Sequence, residues 1–353
     1  MDRRHGGYAL RGDASGASEI TADSFEDKVE AEWFSPTLDR KTFKQLTKRS
    51  DAAGWRHFGP WLAILAVSGT AGIATWGSWA AVPAFVVYGL AYAMSDHHAH
   101  DLSHGTPFKT RWINEVFYHL NGFMTLHEGF YWRWSHSRHH TETLFVGRDP
   151  EIAVPRPPDI FGMFLDLFFI KSGLTQLALI FRHAAGSLGE EARRFVPAGE
   201  QSKVVWSSRA FVAVIAAVIL ACLVMHSPLP AMLVLLPRFY GGAMAQIFNL
   251  TQHAGMQEDI PDHRLSTRTW LTNPLFRFMY MNMNYHVEHH MFPLVPFYNL
   301  PALHELIKDE CPPAYRGLPA VYREVIPAVL HQVRDPAWYV RRPLPNTHPI
   351  PAE

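Results

Sequence analysis

Residues 59–94 read GPWLAILAVSGTAGIATWGSWAAVPAFVVYGLAYAM, and this stretch contains no charged side chain. A single membrane-spanning helix needs roughly 20 apolar residues, so the stretch is long enough for two. Gly77, Ser78 and Trp79 interrupt it near the middle, and tryptophan favours the interface between lipid and water. We therefore predict two spans, 59–76 and 80–97, joined by a tight turn.

A second apolar pair lies further along the chain. Residues 207–225 and 231–250 are predicted as the third and fourth spans, with the break His226–Pro230 between them and Arg238 inside the fourth. A core helix of a large soluble protein can resemble one such segment, but two long apolar hairpins favour a membrane protein. The fold class that we expect is an all-α integral membrane protein with four transmembrane helices in two hairpins.

The segments that flank these spans are polar or amphipathic. Residues 1–35 contain no apolar stretch, so we expect a mobile tail and no cleaved signal peptide. Residues 37–56 mix basic and apolar side chains, as an interfacial membrane helix does, although a soluble amphipathic helix has the same pattern. Residues 160–181 are aromatic and apolar but contain Asp166 and Lys171, so we expect them to be interfacial or half-buried rather than spanning.

The distribution of lysine and arginine predicts the orientation. The two short turns, 77–79 and 226–230, contain neither residue, whereas the segments before the first span, between the second and third, and after the fourth contain many. By the positive-inside rule the longer segments are cytoplasmic. Both termini and most of the polar mass are then expected on the cytoplasmic side, at the inner membrane if the protein is bacterial.

The composition of the 353 residues narrows the chemistry. Lysine plus arginine number 32, as do aspartate plus glutamate, and a net charge of zero argues against nucleic-acid binding by phosphate neutralisation. Only two cysteines are present, Cys222 and Cys311, which excludes a disulfide scaffold and a thiolate metal site. The 21 histidines point instead to metal binding by imidazole.

Three histidine clusters have the spacing of metal ligands on helices. They are the pair His100 and His104, the triplet His136, His139 and His140, and the triplet His286, His289 and His290. Positions i, i+3 and i+4 share one face of a helix, so their imidazoles can reach one ion. An even number of predicted spans separates the clusters, so all three are expected at the same cytoplasmic face.

A histidine outside the clusters is more often a surface or hydrogen-bonded core residue than a ligand. We interpret most of the others in that way: His5, His57, His183, His226, His263, His304, His331 and His348. Eight clustered imidazoles exceed the roughly four to six ligands of one ion, which favours two ions. Nitrogen donors without cysteine fit a redox-active iron pair with an open position for dioxygen, and zinc is compatible with the same ligand type.

These clusters resemble the histidine boxes of the membrane fatty acid desaturase and hydroxylase superfamily. Trp132-Arg133-Trp134-Ser135-His136 is similar to the W-R-x-x-H entry of the second box, and His286–Pro293, followed by Asn299-Leu300, is similar to the third. The resemblance covers roughly residues 55–310. It implies a membrane domain, which we place at residues 36–310, with a cytoplasmic helical cap that holds a dinuclear metal site. A proline-rich C-terminal tail, 311–353, would follow and pack loosely on the cap or bind the electron donor.

The resemblance also implies further site residues. Two Fe ions are bound by nine histidines in some members, and here His253, at the end of the fourth span, fits the ninth position, while Asn249 would hold an iron-bound water. Metal-bound histidines commonly donate their other N–H to a carboxylate, and Asp149 and Glu288 are the candidates, each with a solvated loop or a helix cap as the alternative. His97 and His98 are expected to support the site or only their helix.

By resemblance the protein is an oxidoreductase that uses O2 and two external electrons to desaturate or hydroxylate an unactivated C–H bond of a lipid or other apolar substrate. No fused electron carrier is visible, so the expected partner is a separate ferredoxin or cytochrome with its reductase. Phe130-Tyr131-Trp132 and Gly147–Glu151 are similar to oxygenase members such as the rhizopine-catabolism oxygenase. The alternative is therefore a hydroxylase or oxidative demethylase of a small catabolic substrate.

A metal transporter or sensor is the remaining alternative. Transport would place ligands inside the spans, near the middle of the bilayer. The predicted spans contain almost no ionisable groups and the clusters lie at one face, which disfavours this reading.

Overall fold

The computed structural model describes residues 33–345, and within that range the chain is mostly helical. In chain order the helices are α1 (Arg40–Leu46), α2 (Asp51–Ala74), α3 (Ala81–Ala93), α4 (Ser95–Ser103), α5 (Arg111–Met124), α6 (Gly129–Thr141), α7 (Ile160–Asp166), α8 (Ile170–Ala184), α9 (Gly189–Arg193), α10 (Ala198–Val224), α11 (Leu229–Val234), α12 (Pro237–Gly241), α13 (Ala243–His253), α14 (His263–Ser266), α15 (Pro274–Met279), α16 (His286–Met291), α17 (Leu300–Ile307) and α18 (Leu318–Arg334). Strands β1 (Trp270–Leu271) and β2 (Tyr315–Arg316) pair in parallel, with Trp270 opposite Tyr315.

The first apolar pair forms α2 and α3, with bounds that differ from the predicted spans. Helix α2 is capped by the side chain of Ser50, so it begins well before the span predicted at 59–76 and includes the last six residues of the segment predicted as an interfacial helix at 37–56. Helix α3 covers only the first part of the span predicted at 80–97. The last part belongs to α4, because residues 95–98 are polar and are buried within the protein rather than in an apolar helix.

The predicted fourth span, 231–250, is three short helices rather than one. Pro237, which lacks a backbone N–H, begins α12 after the chain leaves α11. At Gly241 the chain contacts α3 so closely that an added Cβ would lie 2.0 Å from the carbonyl carbon of Gly89. The segment is therefore broken where it packs against α3, a tertiary contact that hydropathy does not reveal.

Among residues 33–345, two helices are long and apolar enough to cross a membrane, α2 with the preceding α1, and α10. The bent pair α7 and α8 is a third if the two helices form one broken span. They meet at 80°, and Phe169 at the bend has a left-handed backbone, φ 54°. The four-span arrangement and the interfacial position of 160–181 stay predictions.

The histidine clusters lie in the part of the chain built from α4–α6 and α13–α18. Its core contains large, fully buried side chains, among them Phe58, Phe108, Trp270 and Tyr280. The parallel strands β1 and β2 join the chain before α15 to the chain before α18. This packing holds short helices that would not be stable alone.

The structure describes only the end of the predicted N-terminal tail and most of the predicted C-terminal one. Most of the segment 1–35 lies outside the described residues, but the Trp33 ring stacks on His263 with centroids 4.2 Å apart. In the segment 311–353, which we expected to pack loosely, α18 buries Val321 and Val325 in the core. The prolines mislead here because one of them, Pro319, lies in the first turn of α18, where no N–H is needed.

Candidate metal centre

The three histidine clusters lie on three separate helices. His100 is in α4 and His104 caps that helix, while the two triplets are in α6 and α16. The Glu128 side chain starts α6 by accepting hydrogen bonds from two backbone N–H groups of its first turn, at 3.0 and 2.8 Å. The triplet then lies in the last turns of α6, with its imidazoles directed into the protein.

Four of the histidines form a first group, which comprises His100, His136, His140 and His289. One ring nitrogen from each lies within 4.8 Å of those of the other three. Nε2 of His140 is 3.1 Å from Nε2 of His136 and 3.2 Å from Nε2 of His289. The His104 ring lies beside this group, with its centroid 4.6 Å from that of His140.

A second group comprises His139, His253 and His290, whose ring nitrogens also lie within 4.8 Å of one another. His286 joins it: its Nε2 is 3.1 Å from Nε2 of His253 and 3.1 Å from Nε2 of His290. All nine histidines named from the sequence therefore meet in two adjacent groups. His253 reaches the site from the end of α13, which is why no box-like spacing marks it.

These imidazoles are largely removed from solvent, with His289 fully buried and His286 1% exposed. Burial, together with the neighbouring imidazoles, lowers the pKa of His136 and His289 well below the usual value. Such rings are neutral at physiological pH and keep a lone pair for a cation. His139 is the exception: burial lowers its pKa, but the Asp149 carboxylate outweighs burial and raises it.

Two carboxylates orient histidines of the two groups by accepting a hydrogen bond from Nδ1. Asp149 accepts from Nδ1 of His139 at 2.9 Å, as the sequence suggested. Glu151, which the sequence did not single out, accepts from Nδ1 of His136 at 2.8 Å. A carboxylate at Nδ1 keeps the proton there and leaves Nε2 free to bind a metal.

Two further histidines are oriented by neutral groups. Nδ1 of His253 lies 2.9 Å from the Ser266 carbonyl oxygen, and Nδ1 of His290 lies 3.1 Å from Oγ1 of Thr143. Neither partner has a sequence signal, because a backbone carbonyl and a threonine hydroxyl are common everywhere. Glu151 did have a signal in the sequence, since it is a second acidic residue two positions after Asp149 in the same loop.

Glu288 does not orient any of the nine histidines through the hydrogen bonds observed in residues 33–345. It is fully buried and bonds to His304 and Thr269 instead. The candidate role of Glu288 beside the metal is therefore corrected: position 288 lies between ligand positions on α16, and its side chain is directed away from them into the core. We interpreted His304 from the sequence as a surface or hydrogen-bonded core residue, and it is the buried partner of Glu288.

The residues next to the first box also serve the protein core. Nε2 of His98 lies 2.9 Å from Nε2 of His57, and the His97 ring packs on Tyr280 with centroids 4.6 Å apart. Neither of these contacts involves one of the nine histidines, so both rings pack in the protein core. His57 is again a paired core histidine.

Asp96, Arg238 and Asn249 form a largely buried polar triad. The Asp96 carboxylate accepts from the Arg238 guanidinium at 3.0 Å and from the Asn249 amide at 2.7 Å. Asn249, expected to hold a metal-bound water, thus has its amide oriented by Asp96. Arg238, which looked like an interruption of an apolar span, is 4% exposed and serves this triad.

A cavity of about 470 Å³ opens onto both groups. Its wall includes histidines of each group, His100 and His136 from the first and His139, His253 and His286 from the second. Asp96, Arg238 and Asn249 line it as well. A small molecule in this cavity would therefore contact the histidine groups directly.

The arrangement fits a pair of transition-metal ions. The donors are nitrogens without cysteine, and several buried ring nitrogens, such as Nε2 of His104 and Nδ1 of His100, have no hydrogen-bond partner in the described part of the chain. Neutral imidazoles suit iron as well as zinc, copper or nickel. A buried set of this kind leaves polar atoms unsatisfied unless a cation fills it.

Comparison with known proteins gives one clear match. The family model described as fatty acid desaturase matches residues 77–321, a range that contains all three clusters and His253. The chain matches no curated protein.

Proposed function

Because the chain belongs to the fatty acid desaturase family, we propose that it is a membrane-bound oxidoreductase that uses O2 and two external electrons to oxidise an unactivated C–H bond. The observation that supports this most strongly is the convergence of nine imidazoles in two adjacent groups at the wall of one cavity. Two Fe ions are the cofactor that we propose, one for each group.

The proposed ligands of the first ion are His100, His104, His136, His140 and His289, and those of the second are His139, His253, His286 and His290. When bound, the iron pair supplies the redox chemistry that activates O2. The protein contributes the rest: Asp149 and Glu151 hold His139 and His136 in the required tautomer, and burial keeps the imidazoles other than that of His139 neutral. Asn249, whose amide donates to Asp96 and which lines the cavity, would bind a water there.

Either outcome of the reaction balances. Hydroxylation converts R–H, one O2, two electrons and two protons into R–OH and one water. Desaturation converts –CH2–CH2– with the same reactants into –CH=CH– and two waters. If the hydroxylated carbon carries O or N, the product loses that carbon as an aldehyde, which is oxidative demethylation for a methyl group.

We further propose that both termini and the metal site face the cytoplasm, with four membrane crossings. The Lys and Arg content of the segments outside the spans supports this. A ferredoxin or cytochrome with its reductase would then supply electrons at the cytoplasmic face. A transporter or sensor is less compatible with the site, because the histidines lie beyond the apolar helices α2 and α10 rather than within them.

The test is iron content and product analysis of variants. His139→Ala and His289→Ala should lose iron and all oxidation while the protein still inserts in the membrane. His331→Ala, at an exposed position where the ring packs against Trp338, is the matched control and should keep both. Full oxidation by the first two variants would disprove the metal assignment.

Labelled dioxygen distinguishes the reactions. One labelled oxygen in the product indicates hydroxylation, and loss of two hydrogens with label only in water indicates desaturation. Loss of a methyl group as labelled formaldehyde indicates demethylation.

A further inference from the structure

His253 reaches the second group without another ligand on its own helix. It is the last residue of α13, whereas each histidine of the three clusters has a second one within four residues. Helix ends fray, so a ring at such an end is held only as firmly as the chain around it. Two segments decide where this ring lies: the turn 254–256 that follows it, and residues 266–268, which include the partner of its Nδ1.

The turn after His253 packs against the C-terminal part of the chain. The carbonyl oxygen of Gly255 accepts a hydrogen bond from the Val340 N–H at 2.9 Å. Gly255 has a left-handed backbone, φ 78°, and an added Cβ would lie 2.8 Å from Cβ of Ala328 in α18. Met256, Ala328 and Val340 also belong to one buried apolar cluster. The turn is therefore held between α18 and the segment that follows α18.

The segment that orients the His253 ring is held from the same part of the chain. Nδ1 of His253 donates to the Ser266 carbonyl oxygen at 2.9 Å. The carbonyl oxygen of the next residue, Thr267, accepts from Nη1 of Arg342 at 3.5 Å, and Nη2 of Arg342 donates to the Pro313 carbonyl oxygen at 3.0 Å. The guanidinium therefore joins two segments, one of which contains the acceptor of His253.

Arg268 connects the end of α13 to α18. Its backbone N–H donates to the carbonyl oxygen of Gln252, directly before His253, at 3.1 Å. Its side chain is fully buried and forms an ion pair with Glu324 of α18, with Nε 2.9 Å from Oε1. The same carboxylate accepts from the Tyr315 hydroxyl at 2.6 Å. Breaking such a pair would leave a buried charge without compensation, so the pair holds Arg268 in place.

We propose that residues 324–342 form a C-terminal clamp that positions His253 for the second ion. The inference rests on the proposed function, because it assigns how one ligand of the same site is held. Glu324, Val340 and Arg342 are positioning residues, since their hydrogen bonds reach backbone groups, Arg268 and Tyr315 rather than the nine histidines. The family match ends at residue 321, so the clamp lies outside the matched range.

Release of the clamp should affect one ion and spare the other. If His253 occupies its position only part of the time, the apparent affinity of the second site falls in proportion to that fraction. The ligands of the first group lie on α4, α6 and α16, and the contacts of the clamp described above do not include these helices. General unfolding would instead weaken both sites.

The test is a competition for iron(II) between a chelator and the full chain in lipid nanodiscs. Arg342→Met keeps a long side chain but removes both hydrogen bonds, and should weaken one of two iron sites about tenfold while the other is unchanged. Arg341→Met, at the exposed neighbouring position, is the matched control and should change neither site. Arg342→Lys can still donate to a carbonyl oxygen and should bind iron more tightly than Arg342→Met.

Val340→Pro tests the other contact, because proline lacks the N–H that Gly255 accepts. It should weaken the same site, and an anomalous-scattering map at the iron edge should lose intensity only among the second-group nitrogens. Equal weakening of both sites, or unchanged affinity in both Arg342→Met and Val340→Pro, overturns the clamp. An equal loss in Arg341→Met and Arg342→Met overturns it as well.

The titration of the wild-type chain separates the two proposals. Two iron sites in the wild type, without a selective loss in the variants, overturn only the clamp. A wild-type chain that lacks two iron sites overturns the proposed function, and the clamp with it.

Discussion

The Asp149 carboxylate offers the sharpest test of how the chain orients its histidines. Asp149 is 2% exposed and satisfies three donors: Nδ1 of His139 at 2.9 Å and the backbone N–H groups of Leu144 and Glu151, each at 2.8 Å. The two backbone donors bind different oxygens of the carboxylate. In Asp149→Asn, either orientation of the amide directs its NH2 group at one of these N–H groups.

Two losses follow from that geometry. One buried backbone N–H loses its acceptor, which should cost about 1–3 kcal/mol of folding free energy. His139 loses the negative charge behind its ring, and removal of such a partner weakens metal binding about 10- to 100-fold. The second loss corresponds to roughly 1.4–2.7 kcal/mol of binding free energy.

The two losses are measured separately. Thermal unfolding of the metal-free protein reports the first, and competition with a chelator for iron(II) reports the second. Glu305→Gln, at an exposed ion pair with Lys308, is the control and should change neither. An iron affinity of Asp149→Asn equal to wild type would refute the argument that this carboxylate orients a ligand.

Three further predictions concern packing and the surroundings of the site. Gly241→Ala should prevent stable folding, because its Cβ would lie 2.0 Å from a backbone carbon of α3. Gly199→Ala is the control and should fold normally, since open space surrounds that position. Fluorescence-detected gel filtration compares the folded fraction of the two variants. Arg238→Ala should lower the free energy of unfolding in denaturant by about 3–5 kcal/mol, because the Asp96 carboxylate stays buried without a counter-charge. An unchanged free energy of unfolding would show that this ion pair does not stabilise the fold. Thr143→Val, which removes a neutral partner of a second-group histidine, should weaken iron binding less than Asp149→Asn does; an equal or larger loss would show that charge is not the dominant factor.

The sequence predicted the histidine groups well because helical spacing is a local property. His136, His139 and His140 share a face whatever the rest of the chain does, and the meeting of α6 with α4 and α16 brings them to the other clusters. His253 was reached only by resemblance to a family. Its neighbours in sequence give no spacing signal, since it meets the second group through the position of α13.

The breaks in the apolar segments were not predictable from hydropathy. Segment 231–250 is apolar enough for one helix, but the close approach of Gly241 to α3 and the buried Arg238–Asp96 pair depend on contacts between distant parts of the chain. Glu288 illustrates the same limit: it lies between ligand positions in sequence, yet its side chain bonds to His304. Which way a side chain is directed on a short helix is decided by what packs around it.

The most direct test of the central claim is the position of metal in the protein. An anomalous-scattering map recorded at the iron edge from crystals of the iron-loaded chain should contain two peaks. One should lie among the first-group nitrogens of His100, His136, His140 and His289, and the other among the second-group nitrogens of His139, His253 and His290. A single peak, or peaks away from both groups, would contradict a two-iron centre.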